Sequence, residues 1–360
     1  MAARASPARV RRAQTDVRSQ VVIAGAGMAG LVAAARSREL GAAALVYEKG
    51  SRAGGSMLLS SGFAWRYRSL DIHLEQCPSA DERLAATIVD QFDDALDWLE
   101  SLGVDLLTRE TGNPLTTGGR FDPKQLVDVL ARDIRLGETI PEPTILATGG
   151  FAARLARERG LLLRANPWSE GDGLDLAVAR GAETFGDMGE FYGRGMPATD
   201  AIAEDDFVRL TQLYGRYAAV TSQDGGERFE GPPAWSETDL VQKIARWPGG
   251  VAWYTVEPGV LDERVRERTV REMIDAARDA GAPVREQSGG ISVLVRAAVT
   301  HTIGGLHIDE RARVLDERGE PLDGLFAAGV DAGGWSTGGY ASGLSAALVF
   351  GRIAGESAAG

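Results

Sequence analysis

The chain has 360 residues, a formal net charge of −12 and one cysteine, Cys77. That charge excludes nucleic acid as the partner, and a lone cysteine excludes intramolecular disulfides, a C-x-x-C redox pair and thiolate metal clusters. The length allows two domains with full cores, and no apolar run reaches the ~18 residues of a membrane span.

Residues 1–19 are Arg-rich and nearly free of acids. The Arg11-Arg12 pair raises an export signal, but the next apolar run is a short strand ending in glycines, not a signal core. The reading is a disordered arm on a cytoplasmic protein. Val21, Val22 and Ile23 then predict a buried parallel strand. Gly25, Gly27 and Gly30 follow in G-x-G-x-x-G spacing, with Met28 and Ala29 opening a helix of good helix formers. A second strand closes on Glu48, 18 residues after the third glycine. Gly25 allows the tight turn, Gly27 lets backbone approach a pyrophosphate, and Gly30 permits close helix–strand packing. Glu48 supplies an acceptor for a ribose diol, so the unit predicts dinucleotide binding.

After Lys49 come two clusters of small residues, Gly54-Gly55-Ser56 and Ser60-Ser61-Gly62. They predict backbone running close to a flat ligand, which flavin sites need more often than nicotinamide sites. Leu84, Ile88, Phe92, Leu96 and Leu99 predict a helix over 80–103 with a core stripe. Asp122 and Pro123 predict the start of another, reaching about Arg135. Thr144 to Gly150 reads as a strand running into a Gly-Gly turn, and 166–173 as the cap of a helix from Leu174 to Arg180. Residues 187–296 hold most of the Tyr and Trp and predict an inserted domain with helices at 237–246 and 260–281. Gly-rich α/β text then returns, ending in a helix opened by Gly343.

Taken in order, the motifs G-A-G-M-A-G-L, E-K, G-G-S, A-T-G-G-F, N-P-W-S-E-G-D-G, H-T-I-G-G-L, G-L-F-A-A-G and F-G-R-I-A-G resemble the fumarate reductase/succinate dehydrogenase flavoprotein family. That family includes the 3-ketosteroid 1-dehydrogenases. The resemblance implies an α/β fold: a Rossmann-type FAD-binding domain built from both chain ends (20–186 and 297–360), with an inserted α+β capping domain at 187–296. It implies that Gly25, Gly27, Met28, Ala29 and Gly30 face the pyrophosphate and Glu48 the adenosine ribose, with Lys49 beside it. Gly54, Gly55, Ser56, Ser61 and Gly62 would run along the pyrophosphate and isoalloxazine, and Ala147, Thr148, Gly149 and Asp172 near the adenosine half. Gly329 and Asp331 would meet the ribityl or pyrophosphate region. The N–H groups of Gly343, Leu344 and Ser345 would face the flavin pyrimidine carbonyl, where a helix dipole stabilises the reduced anion.

Departures from the family pattern refine this. Met57 to Trp65 contains no histidine, so FAD is expected to be noncovalent. Glu237-Thr238-Asp239 stands where fumarate reductases carry an arginine, and Tyr340 stands for a second, substrate-clamping one. Without both, a small dicarboxylate is not the expected substrate. Only some eight residues join the helix ending near Arg135 to Thr144, where the family places a β-meander, and 284–292 is a second short join.

His301, Tyr340, Tyr192 and Arg194 are the candidates for chemistry. His301 matches the family's active-site histidine, or is a turn histidine. Tyr340 is a hydrogen-bond donor or acid, or packs on the ring. Arg194, with Tyr192 beside it, clamps an anion or carbonyl, or makes an interdomain salt bridge. Tyr254 is expected in the core. The three histidines are scattered without metal-ligand spacing, so no metal is expected. The expected function is FAD-dependent oxidoreduction at a C–C bond next to a carbonyl, by hydride exchange with flavin N5, on an apolar or cyclic ketone. Its partners are a small-molecule substrate and an external electron donor or acceptor. The alternatives are a flavin oxidase or monooxygenase, disfavoured by the lack of a second dinucleotide motif, and a non-catalytic flavin-binding protein.

Overall fold

A computed structural model describes residues 20–199, 201–287 and 289–360; the arm expected over 1–19 lies outside the described residues. The chain opens with β1 (Gln20–Ala24), α1 (Met28–Glu39) and β2 (Ala43–Glu48). Next come β3 (Phe63–Tyr67), α2 (Glu82–Ser101), β4 (Thr116–Phe121), α3 (Pro123–Leu130), β5 (Ile134–Leu136), β6 (Ile145–Leu146) and α4 (Asp172–Ala179). The middle holds β7 (Phe191–Pro197), β8 (Ala219–Ser222), α5 (Thr238–Ala245) and β9 (Val251–Val256). A small hairpin of β10 (Arg264–Val265) and β11 (Arg268–Thr269) leads into α6 (Val270–Asp279), β12 (Val284–Gln287) and β13 (Gly290–Thr302). The chain closes with β14 (Arg313–Leu315), β15 (Pro321–Ala327) and α7 (Gly343–Ala359).

Six strands form the first sheet, in the order β14-β15-β6-β1-β2-β5. All neighbours in it are parallel except β14 with β15. A parallel sheet needs cover on both faces, and Val21 and Ile23 are accordingly fully buried. The second sheet is mainly antiparallel, β7-β13-β9-β8, with β12 added along β13 and the short segment Leu162–Leu163 pairing with β13 in parallel. The architecture is mixed α/β, as expected.

What joins the chain's two ends is a close helix crossing. A Cβ on Gly351 would lie 2.7 Å from the Ala29 carbonyl oxygen, and one on Gly355 2.5 Å from that of Ala33. Small residues on both helices therefore let α7 sit directly on α1, and Arg36 Nε seals the pair on Glu356 at 2.7 Å. A larger residue at 351 or 355 would push the last helix off the first glycine turn. On α2, Asp81 caps the N-terminus by accepting from the Arg83 and Leu84 N–H groups, worth about 1 kcal/mol. Its stripe of Leu84, Ile88, Phe92, Leu96 and Leu99 is buried.

Two helix expectations are corrected. The helix begun at Pro123 ends at Leu130, because the chain must reach β5 to pair with β2. The helix expected over 260–281 starts only at Val270, where Thr269 and Glu272 make a reciprocal capping box. Residues 264–269 form the hairpin instead, its turn made possible by a left-handed Arg266 with φ of +58°.

Candidate active site

The first sheet brings the glycine-bearing segments to one edge. Gly25 has φ of +104°, and a Cβ there would stand 2.2 Å from the Ala147 carbonyl oxygen. A Cβ on Gly30 would meet the Gly25 carbonyl oxygen at 1.9 Å. Gly27 is different. Its φ of −73° and ψ of −178° suit any residue, and an added Cβ would find no atom within 4 Å. Nothing in the protein requires glycine there; the open space beside it does. Gly55 approaches the same point, its Cβ position 3.2 Å from the Gly27 Cα, and the Gly54 N–H donates to the Ala26 carbonyl.

Glu48 accepts from the N–H groups of Ala26 at 2.9 Å and Gly50 at 2.6 Å, which fixes its carboxylate beside that space. Lys49 pairs with Asp172 at 2.5 Å. A Cβ on Gly329 would stand 3.0 Å from that of Ala29, so this segment also reaches the start of α1. The buried Asp331 side chain accepts from the N–H groups of Thr148 and Gly150 and from the Thr148 hydroxyl. It holds the Gly149-Gly150 turn in place. Ser345 is engaged within the protein likewise, its N–H by Ser342 and its hydroxyl by the Trp65 carbonyl.

A cavity of about 950 Å³ opens from this edge toward the second sheet. Ser56, Ser61, Gly343 and Leu344 line it, together with Tyr192 and Arg194 of β7, His301 of β13 beside Tyr192, and Trp235. Tyr340 and Tyr192, 148 residues apart in sequence, stack with ring centroids 3.7 Å apart and planes 8° from parallel. Burial raises the Tyr340 phenol pKa well above its usual value, and the Tyr192 phenol adds to the rise. Tyr340 therefore remains a protonated hydrogen-bond donor at any physiological pH. His301 lines the same cavity; burial pulls its pKa down to about 4. Its Nδ1 meets the Thr302 carbonyl at 2.9 Å, which as an acceptor requires the proton on Nδ1. The neutral ring then presents an accepting Nε2, which has no protein partner.

Arg194 is buried, its Nη1 donates to the Ser236 carbonyl at 2.5 Å, and its guanidinium lies 5.0 Å from the Tyr192 ring centre. The interdomain salt bridge weighed for it is absent among the described residues. Two further guanidiniums share its surroundings. Arg164 follows Leu162–Leu163, which pairs in parallel with β13, and its Nε donates to the Thr211 hydroxyl at 3.2 Å. Burial pulls its pKa down to about 10; Arg194 and Arg266 press the same way, while Tyr192 and Tyr340 oppose. Arg266, at the hairpin tip, lies over Trp235 with its guanidinium 4.9 Å from the ring centre. Its side chain is exposed to solvent, and its pKa is lowered by partial desolvation and then by Arg194. The hairpin is fastened on both flanks, by Arg120 to Glu267 at 2.8 Å and by Arg268 to the Thr211 carbonyl at 2.9 Å.

Arginines line the cavity from elements other than the two motif positions, Arg164, Arg194 and Arg266 among them, alongside the acids Glu110, Asp205 and Glu267. Arg164 carried a faint signal, one charge at the end of the apolar run Leu161-Leu162-Leu163. Arg266 carried none, since a helix over 260–281 would place it on a solvated face. Tyr254 is buried in the core as expected, and His73 and His307 are held by the Trp335 carbonyl and Glu183. Among the described residues no cluster of His, Cys, Asp and Glu suits a metal, and no helix is long and apolar enough to cross a membrane.

Comparison with known proteins bears on the same edge and cavity. A sequence model described as "FAD binding domain" matches residues 20–139 and 138–348. Its two pieces meet in the short link between β5 and β6, where the sequence marks a compact join. A probable fumarate reductase of Shewanella frigidimarina is 24% identical over 448 aligned positions, covering 95% of this chain and 75% of that protein. The open conformation of a flavocytochrome c3 fumarate reductase superposes with a TM-score of 0.70 at 22% identity, covering 95% of this chain and 78% of the other. The 3-ketosteroid-Δ4-(5α)-dehydrogenase of Rhodococcus jostii RHA1, in complex with 4-androstene-3,17-dione, gives 0.69 at 19% identity, covering 98% and 100%.

Proposed function

The chain belongs to the FAD binding domain family, and from that premise we propose an FAD-dependent oxidoreductase that adds or removes hydrogen across a C–C bond of a substrate bearing more than one carboxylate. Bound FAD supplies hydride exchange with one of the two carbons. Everything else falls to the chain. The space at Gly27, closed in by Gly55 and flanked by Glu48, fits a pyrophosphate with its ribose. The free N–H groups of Gly343 and Leu344, at the start of α7, suit the anionic edge of a reduced flavin. Met57 to Trp65 contain no histidine, so the flavin would be held without a covalent bond to that segment.

Over the flavin, the neutral His301 accepts a hydrogen bond, and the Tyr340 phenol donates one to the carbonyl or carboxylate conjugated with the reacting bond. Charge that builds on that oxygen in the transition state is where such a donor contributes most. Tyr340→Phe is expected to keep its flavin and the Tyr192 stack but to turn over at least about tenfold more slowly, roughly 1.4 kcal/mol. Steady-state rates per bound flavin check this, and unchanged turnover removes the phenol from the mechanism.

The observation that carries the substrate reading is the cluster of Arg164, Arg194 and Arg266. Arg164 and Arg194 are buried guanidiniums without a carboxylate in ion-pair reach among the described residues, and the exposed Arg266 stands beside them; such buried charges favour an anionic partner. The similar Shewanella protein is a fumarate reductase by name, and fumarate carries two carboxylates. A second reading, a cyclic ketone, is favoured by the cavity's size and its walls of Phe63, Trp65 and Trp235. Visible difference spectra separate them: saturable perturbation of the flavin bands by di- and tricarboxylates and none by androstenedione supports the first, and the reverse supports the second. Electrons enter or leave through an external partner, since one dinucleotide turn is present among the described residues.

A further inference from the structure

Beneath the three arginines lies a buried polar group that the proposed chemistry does not use. Glu237 precedes α5 with φ of +56°, a left-handed conformation that favours glycine. This backbone turns its side chain under the cavity rather than out to solvent, and the residue is 4% exposed. Its Oε1 accepts the Gly215 N–H at 2.8 Å. Its Oε2 has no protein partner, and neither do the hydroxyls of Tyr214 and Tyr254, whose rings meet edge to face at 5.7 Å. Folded proteins seldom leave such atoms unpaired, so this is a polar chamber able to hold either state of the acid. The chamber touches the active site directly: Arg194 is tied to the carbonyl of Ser236, the residue just before Glu237.

The charged and titratable groups around Glu237 are Arg194 from β7, Arg266 from the hairpin, Asp239 from its own helix, and Tyr214 and Tyr254 from the chamber wall. Burial raises the carboxyl pKa to about 7; Arg194, the Gly215 N–H and Arg266 oppose the rise, and Asp239 adds to it. Arg194 and Arg266, which a substrate carboxylate would engage, thus favour the ionised form of Glu237 through space, without an ion pair to it.

We propose that Glu237 couples substrate binding to proton uptake, its carboxylate becoming a carboxylic acid as anionic substrate takes over Arg194 and Arg266. This rests on the carboxylate reading of the cavity. The balance is one polyanion and one proton taken up by the ionised enzyme, giving a complex in which Glu237 is neutral. By linkage, whatever makes anion binding favour protonation makes protonation favour anion binding. The sign follows. Below the free-enzyme pKa, Glu237 is already protonated and affinity is at its maximum. As pH rises through that value, binding must first capture a proton and weakens, until the higher pKa of the complex is passed.

The test uses the FAD-loaded enzyme and malonate, a redox-inert dicarboxylate, in calorimetry between about pH 6.5 and 8.5, in buffers of different ionisation enthalpy. The expected result is uptake of about half a proton or more per malonate near pH 7.5 and at least tenfold weaker binding at pH 8.5 than at 6.5. Glu237→Gln, which keeps the acceptor for Gly215, should bind malonate with neither uptake nor that pH dependence. Malonate bound by the wild-type enzyme without proton uptake overturns the coupling while sparing the carboxylate reading, and needs no variant. Uptake that persists in Glu237→Gln overturns the assignment to Glu237. No malonate binding at any pH overturns the carboxylate reading itself, and this inference with it.

Discussion

Gly27→Val is expected to yield a folded but colourless protein. Most glycine substitutions around the dinucleotide turn cannot separate folding from ligand binding. Gly30→Ala drives a methyl group to 1.9 Å from the Gly25 carbonyl oxygen, so the turn itself must break. At Gly27 the backbone is already in a conformation valine accepts, and no protein atom lies within 4 Å of the added Cβ. The apoprotein should lose little beyond the roughly 1 kcal/mol by which valine is a poorer N-cap than glycine. The branched side chain instead fills the space where the peptide backbone, the Gly55 segment and the N-terminus of α1 converge. FAD affinity should fall at least about 100-fold, roughly 2.7 kcal/mol. Flavin content after purification, circular dichroism and the melting temperature of the apoprotein read the two effects separately. A variant that purifies yellow with one FAD per chain would show that the pyrophosphate lies elsewhere.

Arg194→Ala should reduce kcat/KM for a carboxylate substrate by about a thousandfold, roughly 4 kcal/mol, with flavin content unchanged. Arg194 is the arginine nearest the paired tyrosines and is held by the Ser236 carbonyl rather than by an acid. Its charge is therefore available to a ligand, and its fork geometry suits a carboxylate. Arg194→Lys should recover only a small part, because a point charge on a flexible stem neither makes the paired hydrogen bonds nor lies flat over Tyr192. Steady-state kinetics on flavin-saturated enzyme check both variants. An alanine variant with undiminished kcat/KM would take Arg194 out of substrate binding.

The parts of this protein governed by local backbone demands were open to reading from sequence. The G-x-G-x-x-G turn, Asp122 as a helix cap, and the α2 core stripe each follow from rules that operate within a few residues. The closing helix was legible as well, although its Gly351 and Gly355 acquire meaning only against Ala29 and Ala33. What escaped was set by distant packing. Residues 260–281 contain good helix formers, yet Arg266 turns left-handed because Arg120 and Thr211 hold the hairpin from either flank. Asp331, which stands in a cofactor-contact motif, turns inward because the Thr148 and Gly150 N–H groups need an acceptor. The cavity's arginines were hidden for the same reason: the sequence shows whether arginines stand at two motif positions, whereas the cavity gathers Arg164, Arg194 and Arg266 from a loop, a strand and a hairpin.

The central claim is that residues from both chain ends hold FAD beneath a cluster of arginines that selects acidic substrates for redox at a C–C bond. Anaerobic reoxidation of the reduced enzyme tests it most directly. The reduced flavin should recover its 450 nm absorbance when mixed with α,β-unsaturated di- or tricarboxylates, with a rate that saturates in their concentration, and should stay bleached with their neutral esters. Recovery with neutral enones or with O₂ alone, and none with any unsaturated acid, would contradict the account.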